Sequence, residues 1–256
     1  MGMPRDIGII DLMLGIPSED SKSRDERIAD ALREMDRYGI ERALIGVSEE
    51  DKTAQRALRR HSDRFFASCQ SDPNRGMEDV RRIQRMYEEF GIKAVGVFPA
   101  GCFPQVPIDD KRFYPVYAKC VELDVPICVC VGVPDQRIPM AAQHVERVDE
   151  VCWFFPELKF VMRDGGEPWT ELAVKLMLKW PNLYYATSAL APGDYPRAIV
   201  DYANTRGAEK ILYAGDCTPG LSLERIFREL PEVPFRDPVW PKFLRANGLR
   251  VFDLDR

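Results

Sequence analysis

Arg163 and Asp164 close an apolar run and are followed at once by Gly165 and Gly166, in the stretch VMRDGGEPW. A guanidinium there can hold a carboxylate in bidentate fashion, and a neighbouring carboxylate can move a proton. Asp216 ends a similar run near the C-terminus, just ahead of Cys217. Two carboxylates brought close push one pKa up, which suits an acid–base pair. Asp11, Cys130 and Ser188 stand at the ends of three further apolar runs, where a ligand could meet them. Histidine sets a limit on the chemistry. The chain has only His61 and His144, so any mechanism needing three or four imidazoles is excluded.

These residues must be positioned by something regular, and one junction recurs. A helical stretch ends, a short turn with Gly or Pro follows, and an apolar β-rich run begins. It appears at 37–47, 89–98, 122–132, 155–163, 180–188 and 205–215. With 7–14 and 64–70 this gives eight predicted strands, apolar without clean alternation, as in strands buried on both faces. Between them, 24–38 places Ile28, Ala31, Leu32 and Met35 on one helical face. Ser23 with Glu26 fits a capping box, and Gly39 fits the position after the last turn. Residues 77–90, closed by Gly91, repeat the pattern, as do 168–180 with Pro168 at the first helical position.

Eight strands alternating with helices predict an α/β fold, a (β/α)8 TIM-like barrel, as a single domain over residues 1–256. A doubly wound sheet is the alternative, but no GxGxxG turn follows the first strand. A Pro-rich tail from Leu230 to Trp240 should cross the barrel before a final helix near 239–248. In such a barrel, chemistry sits at the C-terminal strand ends. Asp11 and Met13 should share a strand face, as should Cys128 and Cys130. Arg163 and Asp164 should face opposite ways unless the strand twists. The Gly165–Gly166 turn into a helix leaves amides that could receive an oxyanion.

Composition narrows the partners. The 256 residues are 45% hydrophobic with a net charge of −5, which argues against a nucleic-acid surface. No run of about 18 apolar residues suggests a membrane span. MGMPRDIGII lacks the features of a signal peptide or a myristoylation site. Seven cysteines without a CxxC pair read as reduced thiols in a cytoplasmic protein. The expected partner is a small-molecule substrate.

The motifs, in chain order, resemble those of the amidohydrolase-related (amidohydrolase 2) barrels, the branch that includes the aminocarboxymuconate semialdehyde decarboxylases. IIDLMLG stands in the place of that family's first-strand DxHxH motif. HSDRFFASCQSDP, FYPVYAKCVELDVPICVCVG, FPELKFVMRDGGEPW, WPNLYYATSA, RGAEKILYAGDCTP and FLRANGLRVFDL resemble its later stretches. The resemblance implies the barrel, with hydrolysis or decarboxylation as the reaction. A homodimer is compatible with it.

The family's metal ligands do not carry over residue by residue. The first-strand histidine pair falls on Met13 and Gly15, the fifth-strand ligand on Cys130 and the sixth-strand histidine on Asp164. Asp216 alone matches. A catalytic zinc site takes about three protein ligands. The expectation is therefore an enzyme with no metal and no cofactor. It would act on a small carboxylated or carbonyl substrate by acid–base chemistry at Asp216, with Asp164 and Arg163 assisting. Asp11, Cys130 and Ser188 would contact the substrate. Two other readings stay open: a non-catalytic barrel that binds a ligand or partner, and a metalloenzyme holding a divalent metal such as zinc through an atypical Asp/Cys set.

Overall fold

The computed structural model describes residues 2–4, 6–16, 21–215 and 221–255. Its strands are β1 Ile9–Asp11, β2 Ile40–Gly46, β3 Phe65–Gln70, β4 Ala94–Val97, β5 Ile127–Cys130, β6 Phe160–Arg163, β7 Leu183–Ala186 and β8 Ile211–Leu212. All eight lie where the junction pattern puts them. They pair in parallel, in chain order, as one sheet that curls into a TIM-like barrel. Helices cover its outer face: α1 Arg24–Tyr38, α2 Lys52–Arg60, α3 Met77–Phe90, α4 Tyr114–Glu122, α5 Val148–Phe154, α6 Thr170–Lys179, α7 Arg197–Ala203 and α8 Leu223–Glu229.

The local signals act as their chemistry dictates. Ser23 Oγ accepts from the Glu26 amide and the Glu26 carboxylate accepts from the Ser23 amide, so α1 opens on a complete capping box. Gly39 and Gly91 end α1 and α3 in the left-handed region, at φ 70° and φ 58°. Ile28, Ala31 and Met35 are the buried stripe of α1. Strand alternation then splits the apolar side chains into two layers. One layer lies between sheet and helices. The other fills the barrel with Ile10, Leu12, Leu44, Phe66, Val161 and Leu212.

The seam between β1 and β8 is the weak line of this sheet. Among the described residues one long backbone bond crosses it, from Leu12 N–H to Tyr213 O at 3.4 Å. The C-terminal segment reinforces it. Its π-helical stretch Lys242–Ala246 runs into α9 Asn247–Val251, and the Tyr213 amide donates to Phe243 O at 3.2 Å. The expected final helix is thus present, carried beyond residue 248. Val251, Phe252 and Leu254 pack against the interior layer. No helix among the described residues is long and apolar enough to cross a membrane.

Candidate active site

At the C-terminal strand ends lies a cavity of about 350 Å³, walled by Met13, Gln70, Cys130, Arg163, Asp164 and Glu167 among others. A second chamber of about 200 Å³ continues into the barrel and shares Met13, Gln70 and Arg163. A hollow of about 520 Å³ outside the barrel, lined by His144, Arg147 and Glu150, is larger but lies away from the strand ends. The strand-end cavity is the candidate site, because barrel loops converge there.

β6 supplies the central pair. Val161 points into the barrel, and Arg163, two residues on, lies on the same face one layer higher. Simple alternation would turn Asp164 away. Instead Asp164 adopts φ 63°, and Gly165 and Gly166 follow at φ 86° and φ 68°. This left-handed run brings Asp164 back, so Arg163 and Asp164 line the same cavity. The chain then passes a cis peptide at Glu167–Pro168, and α6 begins only at Thr170. Pro168 therefore belongs to the turn and does not occupy the first helical position. One amide of the expected nest is spent internally, since Gly166 N–H donates to Val131 O at 3.2 Å and Asp164 O at 3.1 Å. Gly132, at φ 96°, lets the β5 loop approach this turn. A Cβ there would lie 2.8 Å from backbone atoms of Gly166 and Glu167.

Asp164 is held by Ser188. The Ser188 hydroxyl donates to Asp164 Oδ1 at 2.9 Å, and its Oγ accepts from the Asp164 amide at 3.1 Å. Ser188 is fully buried. It positions Asp164 from the wall, which differs from its expected role as a substrate contact.

Arg163 is held differently. Its two terminal nitrogens donate to sulfur, to Cys130 Sγ at 3.1 Å and Met13 Sδ at 3.6 Å. Its buried Nε has no hydrogen-bond partner among the described residues. Nor does it form an ion pair there with Asp164. Thiol and thioether sulfurs are weak acceptors, and a guanidinium has five N–H donors to satisfy. Burial works against its charge, yet the neighbouring Cys130 and Asp164 favour the cation, and its pKa stays above the usual arginine value.

Cys130 is buried, and burial pushes its thiol up to about 12 although Arg163 pulls the other way. It offers no thiolate near neutral pH. Cys128, deeper on the same face, is likewise pushed up to about 12 by burial.

Asp11 is placed in the wall. It is fully buried, and its Oδ1 accepts from the Gly215 amide at 2.8 Å and the Met13 amide at 3.0 Å. It ties β1 to the chain leaving β8. Met13 lines the cavity and Asp11 does not, contrary to the shared face expected of them, because the chain past β1 loses strand alternation and Leu12, Met13 and Leu14 all reach the inner chamber. Met13 lies past the strand and reaches Arg163. Asp216, on which the acid–base expectation centred, lies outside the described residues, as does Cys217. His61 follows α2, and His144 stacks on Trp169 with ring centroids 3.8 Å apart; neither lines the cavity. Gln70, the last residue of β3, does line it. It is the last residue of the predicted strand 64–70, so the strand-end rule covers it. Gln143 and Glu167 are brought in by loop folding, for which the sequence holds no periodic signal.

Residues 10–254 match the model of the amidohydrolase family. The chain belongs to that family. It has no match among curated proteins. Solved structures similar to this amidohydrolase-family chain share its barrel. One is an uncharacterised TIM-barrel protein from Bordetella bronchiseptica, with a TM-score of 0.80 at 20% identity, covering 96% of this chain and 98% of the other. Another is a 2,6-dihydroxybenzoate decarboxylase in complex with 2,6-dihydroxybenzoate, with a TM-score of 0.71 at 16% identity, covering 99% and 100%. A third is a dihydroxybenzoic acid decarboxylase from Polaromonas sp. JS666 with bound manganese and the inhibitor 2-nitroresorcinol, with a TM-score of 0.69 at 17% identity, covering 98% of each chain.

The manganese corrects one expectation. A metal-bearing neighbour of this fold points to a metal cofactor, so the absence of cofactors inferred from the missing histidines does not stand. The donors described here do not themselves make up a metal site. Among the described residues, no group of three or more His, Cys, Asp or Glu side chains could hold an ion. Where a ligand set would have to converge, the Arg163 guanidinium stands between Met13 and Cys130.

Proposed function

We propose that this chain is an enzyme acting on a small carboxylated substrate, with Arg163 as the carboxylate anchor and Asp164 as a proton-transfer group. Decarboxylation is the leading reaction, and hydrolysis at a carbonyl of such a substrate is the runner-up. Membership of an enzyme family and two decarboxylase neighbours support catalysis over a purely binding role.

One observation carries the reading. A guanidinium lines a cavity with two sulfurs as its only hydrogen-bond acceptors and with no ion pair among the described residues. A half-buried cation left so poorly satisfied is costly, and an anionic ligand with two oxygens removes that cost.

The next step follows from chain adjacency. A carboxylate seated on Arg163 brings the carbon that bears it towards Asp164, which Ser188 holds in one orientation. Loss of CO2 leaves the electrons of the broken C–C bond on that carbon, and a proton must replace the carboxylate. Asp164 would deliver it, with Asp216 as the proposed second member of the acid–base pair. In hydrolysis the same carboxylate would take a proton from water.

The test is release of CO2 from a panel of small hydroxylated and unsaturated carboxylic acids. Arg163→Met should raise KM by about a hundredfold or more, as expected for a lost bidentate charge pair. Asp164→Asn should lower kcat by a comparable factor. Turnover unchanged in both variants would sink the assignment.

A further inference from the structure

The inner chamber differs in chemistry from the outer one. Its walls are chiefly Leu12, Leu14, Leu44, Ala94 and Cys128, with backbone at Gly15, Gly46 and Gly96. Ser68 is polar, but its hydroxyl is already spent on Ile45 O at 3.2 Å. Among the described residues Arg163, on the border between the chambers, is the only charged group lining the inner one. The outer chamber is acidic apart from that arginine, with Asp135, Asp164 and Glu167 around it.

Gly46 holds the inner chamber open. It is the last residue of β2, paired in register with Ser68, and it is exposed while Ile45 and Val47 on either side are buried. A Cβ built on Gly46 meets nothing within 4 Å. Its φ is not in the left-handed region, so the backbone conformation does not demand glycine. Gly96 is different, because the Gln70 amide lies across it at 2.5 Å from a built Cβ. The missing side chain at residue 46 is thus a void that a larger residue would fill.

Resting on the carboxylate anchor proposed above, we infer that the substrate's apolar body enters the inner chamber. Its single carboxylate stays on Arg163 at the border, and Gly46 is the specificity-determining residue. Apolar walls make burial of a hydrocarbon body favourable, at about 25 cal/mol per Å² of apolar surface. A second anionic group would find only the uncharged Gln70 amide inside or three carboxylates outside, and a buried charge without a charged partner is strongly disfavoured. The class is therefore an apolar-bodied monocarboxylate. Dicarboxylates are excluded.

The experiment measures dissociation constants of acetate, benzoate, benzamide and isophthalate by calorimetry, for the parent chain, Gly46→Val and Arg163→Met. The parent should bind benzoate at least about tenfold more tightly than acetate, benzamide or isophthalate. Gly46→Val should lose that advantage for benzoate, keep acetate and keep its melting temperature. Gly46→Ala should show the same change in smaller degree, so a folding defect in the valine variant cannot mask the answer. Arg163→Met should lose acetate and benzoate alike. Benzoate affinity untouched by either Gly46 substitution overturns the inner-chamber placement while leaving the arginine anchor intact. Acetate and benzoate both unaffected in Arg163→Met overturn the anchor itself. Isophthalate binding more tightly than benzoate, or no saturable benzoate binding to the parent, overturns the monocarboxylate class.

Discussion

Replacing Ser188 by alanine tests how the proposed proton-transfer group is held. Two hydrogen bonds disappear together: the hydroxyl donor to Asp164 Oδ1 at 2.9 Å and the Oγ acceptor of the Asp164 amide at 3.1 Å. A hydrogen bond to a charged group is worth about 1.5–3 kcal/mol, and an amide left without a partner costs about 1–3 kcal/mol. Asp164 is only half-buried, so water can replace part of both, and the lower end applies. The expected loss is about 2–3 kcal/mol, or roughly 4–12 °C in melting temperature for a chain of this size. Urea unfolding followed by circular dichroism measures it. A double-mutant cycle with Asp164→Ala separates the pair from its surroundings and should return a coupling of about 1.5–3 kcal/mol. Turnover should fall as well, because Asp164 then samples other rotamers. Asp164→Gly should cost less than Asp164→Ala, since φ 63° carries no Cβ penalty for glycine. A loss below about 0.5 kcal/mol in Ser188→Ala, or additivity in the cycle, would refute the account of Asp164 as a held residue.

Asp11→Ala should destabilise the barrel by about 2–4 kcal/mol in urea, because the Gly215 and Met13 amides lose their shared acceptor; Asp11→Asn, which keeps an acceptor oxygen, should cost less. Gly132→Ala should cost about 2 kcal/mol or more and lower activity, because its Cβ meets backbone at 2.8 Å and its φ is 96°. Cys130 should resist iodoacetamide at about pH 8, where an ordinary thiol reacts, and mass spectrometry of the alkylated peptide reads this. The sign follows from the raised pKa. The folded state keeps this proton while the unfolded state loses it above about 8.5, so the contribution to stability is whole below that pH and is lost as pH rises toward about 12. Stability that rose across that window, with the other thiols replaced, would contradict the burial of Cys130.

Residue order alone settles the features that depend on local chemistry. The boundaries of α1 and α3 follow from apolar spacing and from glycines that accept positive φ, here Gly39 and Gly91. The eight strands follow from apolar runs between turn residues, and their count gave the barrel and therefore the end at which chemistry sits. The list of strand-end residues, with Arg163 and Asp164 among them, was legible for the same reason.

Which of those residues meet was not legible. Strand alternation sends Arg163 and Asp164 apart, and only the left-handed backbone at Asp164 reunites them. That conformation is uncommon for a residue other than glycine and is fixed by Ser188, which stands 24 positions further along the chain. Asp11 looked like a ligand-binding acid until the β1–β8 seam showed which amides it serves. Gln143 and Glu167 arrive through loops whose paths depend on packing against other loops. Contacts between distant segments are set by the closure of the sheet and by competition for buried hydrogen bonds. Neither leaves a period in the sequence, so the tertiary structure alone decided how the site is assembled.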